Sequence, residues 1–179
     1  MKHINGYIAK IKKSTASINV AFLLNSWVDD AGDKAEARLF TSTGETVDYE
    51  AINKLRINGN RVNGAQDMVN MLSNKQLVLY KLNNDNQLTQ IDTVTANGNL
   101  KQLTSFSEGA FKWGSGRVNN KTILSRDTIV YSIPNDLTNA KEEDFAIKRF
   151  SDFVTDQNYN TASYTASDTD GVAEILVVK

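Results

Sequence analysis

The sequence predicts a mainly β protein: two small barrel- or sandwich-like units, the first carrying one short inserted helix at about residues 64–73. Three observations predict it. Short runs alternate apolar and polar residues, the period of a half-buried strand. They are separated by Asn, Asp and Gly clusters, which supply turn geometry. Two hairpins of similar composition lie 84 residues apart: Tyr80 and Ile91 enclose Asn83-Asn84-Asp85-Asn86, and Tyr164 and Ile175 enclose Ser167-Asp168-Thr169-Asp170. Leu88 matches Val172 and Val94 matches Val178 at the same offset. A true duplication and a chance likeness between common hairpins both account for this.

Gly6 to Lys12 alternates and reads as an opening strand, and Ile18 to Val28 is a more apolar continuation across a bend. Asp29-Asp30-Ala31-Gly32-Asp33 is a loop by composition. Glu36 to Thr41 and Thr46 to Tyr49, joined by a Gly44-bearing turn, form a hairpin. Leu55 to Ile57 is a short strand ending in Asn58-Gly59, where both residues tolerate positive φ. The period then changes. Ala65, Met68, Val69 and Leu72 fall at i, i+3, i+4 and i+7, a helical stripe with Asn63 placed as N-cap and Gln66 three residues on. Leu77 to Leu82 and Leu88 to Val94 make the next hairpin.

Thr95 to Asn99 is the natural boundary, dividing the chain into units 1–94 and 95–179, the second a divergent repeat of the first if the duplication is real. Strands follow at Ala110 to Trp113, Thr122 to Leu124 and Thr128 to Ile133, with a turn at Pro134-Asn135-Asp136. Residues 143–154 fit a strand and turn or one amphipathic helix, with strand favoured. Ala162 to Ala166 and Ala173 to Val178 close the chain around Asp168-Thr169-Asp170-Gly171.

Twenty basic against 21 acidic residues give a net charge of -1. This removes the electrostatic case for nucleic acid or a polybasic membrane surface at the level of the whole chain. No apolar run approaches a membrane span. With no cysteine, thiol catalysis, Cys-ligated zinc and iron–sulfur chemistry are excluded. The one histidine, His3, sits in a terminal stretch, so a Ser-His-Asp arrangement has little to be built from.

Paired carboxylates would suffice for a glycosidase, but Asp29, Asp30 and Asp33, and Glu142, Glu143 and Asp144, read as solvated loops or faces. The expectation is no enzyme and no cofactor. Asp168 and Asp170 are the calcium candidates, although strand flanks and an early Glu174 fit a hairpin turn as well. Gly114-Ser115-Gly116 lacks the continuation of a phosphate loop. Asn120-Lys121-Thr122 is a formal glycosylation sequon. Trp27, Trp113, Tyr131 and Tyr159 are the aromatic candidates of a glycan-binding reading, with Trp27, Trp113 and Tyr159 the ligand residues it would use, against core positions as the alternative.

The Gly6-Tyr7-Ile8 opening, Leu55 to Asn60, the short helix, and Gln76 to Asp92 resemble in order a unit of large clostridial-type surface proteins that carry S-layer homology domains elsewhere. Asp127 to Pro134 and the Tyr164 to Val178 hairpin continue the likeness. The S-layer homology motif itself is absent from these residues. The resemblance implies a structural, spacer or protein-interaction module outside a Gram-positive cell wall. Its start is too polar for a signal peptide, so it is read as a fragment. Its partners would be neighbouring domains of the same protein or other envelope proteins, reached in part through uncovered edge strands. The alternative function is a carbohydrate- or cell-wall-polymer-binding module using exposed aromatics.

Overall fold

The first sheet is organised around β1, which is covered on both faces. β1 (Asn19–Val28) opens with an almost unbroken apolar run, the pattern of a strand buried on both sides. Ala21 and Leu23 enter one core while Phe22 and Leu24 enter another. The computed structural model describes residues 19–93, 100–103, 111–112, 123–149, 152, 159–164 and 172–178. The sequence-predicted strand Gly6 to Lys12 and the boundary at 94–99 lie outside them.

β1 runs antiparallel to β2 (Ala35–Thr41), and β2 to β3 (Thr46–Ile57). A short β4 (Asn60–Arg61) returns along the end of β3 through Asn58 and Gly59, whose φ values of 49° and 83° are the positive pair that a tight hairpin turn requires. Helix α1 (Ala65–Met71) follows, then β5 (Gln76–Leu82) and β6 (Leu88–Thr93). β5 pairs with β1 and β6, and β6 runs parallel to β3. Because β2 also pairs with β3, the ring β1-β2-β3-β6-β5 closes on itself. This is the strand order of a five-stranded Greek-key barrel of the OB type, a statement about connectivity and not about ligands.

The barrel interior is aliphatic: Leu23, Leu39, Leu55, Ile57, Val78, Leu88 and Ile91 are fully enclosed. α1 plugs one end with Ala65, Met68 and Leu72, and the Ser26 hydroxyl donates to the Leu72 carbonyl at 3.1 Å. The helix starts one residue later than expected and without the expected cap. Gly64, at φ 90°, is the N-cap and no side chain caps the turn, so Asn63 does not fill that role. Gln66 instead donates along the helix to Asn70. Leu55 to Ile57 is not a separate strand either. It is the far end of β3, reached through a bulge.

The second sheet contains β7 (Leu100–Leu103), β8 (Phe111–Lys112), β9 (Ile123–Ser132), β10 (Ala146–Lys148), β11 (Tyr159–Tyr164) and β12 (Val172–Val178), ordered β10-β9-β12-β11-β7 with β8 on β9. The two stretches predicted at Thr122 to Leu124 and Thr128 to Ile133 are one strand. The ambiguous 143–154 region holds a 3₁₀ turn at Glu142–Asp144 and the three-residue strand β10.

The two sheets repeat one pairing plan. Tyr80 lies opposite Ile91, and Tyr164 opposite Ile175. β3 advances from Ala51 to Arg56 while β6 advances from Leu88 to Gln90. β9 advances from Leu124 to Ile129 while β12 advances from Ala173 to Ile175. Both parallel pairs therefore carry a bulge of the same size in the same place. Both also have an antiparallel closing hairpin, and β4 and β10 stand in corresponding positions beside β3 and β9.

Candidate functional site: the cleft between the two sheets

The outer face of the first barrel is apolar at Phe22, Leu24 and Phe40, where the second sheet packs on it. Phe22, Leu24 and Phe40 join Tyr131, Ile133, Phe145, Ile175 and Val177 in one buried cluster. The rings set its shape. Phe22 and Phe145 have centroids 5.3 Å apart, Phe40 and Phe145 6.1 Å, and Phe40 meets Tyr131 edge-on at 6.1 Å, spacings typical of attractive aromatic pairs. Tyr131 is fully buried and its hydroxyl donates to the Val20 carbonyl at 3.0 Å. Burial holds its phenol neutral well above the usual range.

Where this contact opens to solvent there is a cleft of about 350 Å³, lined by Leu24, Asn25, Arg38, Lys75, Ala140, Lys141, Glu142 and Phe145. Its floor is apolar and its rim is charged. A β1 bulge between Leu23 and Asn25 sets the local register, leaving Asn25 opposite Arg38. Arg38 gives Nε and Nη2 to the two Asp48 oxygens at 2.6 and 2.7 Å, a fork on its cross-strand neighbour. Its third nitrogen, Nη1, reaches Glu142 of the second unit at 2.5 Å. These hydrogen bonds hold the Asp48 carboxyl below, and the Arg38 guanidinium above, their ordinary values. Lys75 donates across the cleft to the Ala140 carbonyl at 2.8 Å. A guanidinium so pinned positions chain segments; it does not exchange protons.

Of the sequence-predicted aromatic residues, Tyr131 lies in the core, and of the other three only the Trp27 side chain lies within the described residues. It is partly buried, with the Arg38 guanidinium carbon 5.5 Å from its ring centroid, so one ring face is already covered by a cation. The Trp113 and Tyr159 side chains and the calcium candidates Asp168 and Asp170 fall outside the described residues.

The two acidic runs do not face each other as a pair. Asp29 accepts the backbone N–H groups of Asp33 and Lys34 at 3.0 Å, holding its own loop together. Those bonds lower its pKa, the Lys34 N–H first. Glu142 is taken by Arg38, and Asp144 accepts the Lys141 N–H at 2.9 Å. Among the described residues no three His, Cys, Asp or Glu side chains are grouped to hold a metal, and no helix is long and apolar enough to cross a membrane.

Sequence reasoning missed the residues that build this cleft. Arg38 and Lys75 act on partners 104 and 65 positions away, and no local pattern reports such distances. The one available signal was the apolar run in β1, too long for a one-faced strand.

Fold and cleft together define a mainly β protein of two sheets, the first closed into a ring, joined through an aromatic core. No protein-family model, curated protein or solved structure matches the chain.

Proposed function

We propose that this chain is a non-catalytic structural or protein-interaction module of a bacterial cell-surface protein. The observation that carries the structural reading is the joint between its sheets. Phe22, Phe40, Phe145 and Tyr131 fill it, and Arg38 bridges Asp48 to Glu142 at its rim. A spacer must resist bending, and a ring-packed joint does so better than a linker, because a densely packed interior deforms little. The cell-surface setting rests on the resemblance in the sequence.

The test is forced unfolding of the module in a tandem array. A stiff spacer gives one cooperative step for both sheets. Two separate steps, the second sheet yielding at low force, would sink the structural reading. Tryptophan emission during titration with cell-wall polysaccharide separates the glycan-binding alternative: a shift of the spectrum on addition promotes it.

A further inference from the structure

On the first barrel, cations are matched to acids along one half and left unmatched along the other. Lys34 pairs with Glu50 at 2.8 Å, and Arg38 with its cross-strand neighbour Asp48. Across the β4-β3-β6-β5 half, Arg61 lies directly opposite Arg56, Arg56 opposite Gln90, and Gln90 opposite Lys81. Partners in register point to the same face, and here it is the outer one, since Leu55, Ile57 and Ile91 between them are buried. Lys54, two residues before Arg56, is also exposed. No ion pair joins any of these four cations to another described residue. The acid beside the row, Asp92, accepts from Gln90.

Like charges directly opposite in a sheet are destabilising, so an Arg–Arg pair with no acid is a cost that the fold itself does not need. The row is also held firmly. The Asn58 side chain accepts the Thr93 N–H at 2.8 Å and its hydroxyl at 3.2 Å, and the Asn58 N–H donates to Ile91. This ties the β3–β4 hairpin to the end of β6. With neighbouring strands about 4.8 Å apart, Arg61, Arg56 and Lys81 sit at roughly 0, 5 and 15 Å along a line crossing the strands.

We propose that this row is a binding face for a linear phosphate-bearing polyol or sugar polymer, lying across the strands with successive phosphates on the Arg56–Arg61 pair and on Lys81. Two adjacent guanidinium forks suit a phosphate's oxygens. Single-stranded nucleic acid is the poorer fit, because such sites interleave cations with aromatic stacking platforms and this row holds none.

The experiment titrates the whole chain with poly(glycerol phosphate) and, separately, with oligo-dT of equal charge, at low and at moderate salt. The expected result is salt-sensitive binding of poly(glycerol phosphate), at least as tight as of oligo-dT. Arg56→Gln and Arg61→Gln should each weaken it about fivefold, and Lys81→Gln by a similar factor. Lys148→Gln, on the second sheet, should leave it unchanged. Arg56 and Arg61 are exposed and Lys81 and Lys148 half-buried, and unaltered thermal melting would verify that the barrel is intact. No binding at low salt, affinity indifferent to Arg56 and Arg61, or a preference for oligo-dT would each overturn the proposal.

Discussion

The two sheets share a pairing plan, and the described residues show closure only in the first. The first closes into a ring around an aliphatic interior and is plugged by its own helix. The second places Tyr131, Ile133, Ile175 and Val177 against Phe22, Leu24 and Phe40 of the first. The shared cluster is therefore built from one face of each sheet, while Val130 is buried on the other face of β9. The first sheet is thus filled by its own strands and helix, and its outer face meets one face of the second in a common apolar cluster. The difference also assigns the two faces of β1: Ala21 and Leu23 serve the first core, Phe22 and Leu24 the second.

The sharpest way to break this comparison is at Phe145, which touches the rings of both Phe22 and Phe40. Phe145→Ala should cost about 3–5 kcal/mol, the range for removing a buried ring. Hydrogen exchange should show the loss first in β9, β10 and β12, with β1 to β3 still protected. If the first barrel loses protection equally, the coupling is symmetric.

Leu39→Ala, inside the first barrel, should cost about 2–5 kcal/mol and lower protection in both sheets together, because the shared apolar cluster couples them. Melting with a surviving second sheet would contradict this coupling. Tyr131→Phe is milder. It removes the hydrogen bond to Val20 but keeps the ring, for about 1 kcal/mol by chemical denaturation.

Arg38→Gln releases Asp48 and Glu142 and uncovers Trp27. Because these groups are partly exposed, about 1 kcal/mol is expected, together with a change in tryptophan emission and quenching. The smallest effect is that of pH. Asp48 and Glu50 have folded-state pKa values below their ordinary 3.8 and 4.5, held there first by Arg38 and Lys34 respectively. A lowered folded pKa stabilises above the ordinary value and ceases to do so as pH falls through the lowered one. Melting should therefore be level from pH 7 to about 5 as far as these pairs contribute, and decline below about 4. Arg38→Gln should make that decline shallower.

Much of the first unit was legible because its signals are local. Alternation marked β2, β5 and β6, Asn58-Gly59 marked a tight turn, and the spacing of Ala65, Met68 and Leu72 marked the helix. The two bulges were not legible, so β3 and β9 each read as two pieces. A bulge is set by the partner strand's register, and a single strand's sequence does not carry it. β7 and the two-residue β4 were missed for a related reason, since segments so short are strands only by virtue of their neighbours. The cap at Asn63 failed because Gly64 takes the cap position at positive φ, leaving no side chain in place to cap.

By itself, then, the sequence determined the mainly β character, the helix, the hairpins and the absence of cysteine chemistry, all of which follow from residue type and spacing. The tertiary structure alone decided that the first sheet closes, that the apolar run of β1 serves two cores, and that Arg38 clamps β2 to the turn before β10. It also decided which exposed cations have acidic partners and which stand in an unmatched row. Each of these depends on residues far apart in the chain being brought to one place, and pairing over such distances is set by the whole fold, not by any local stretch.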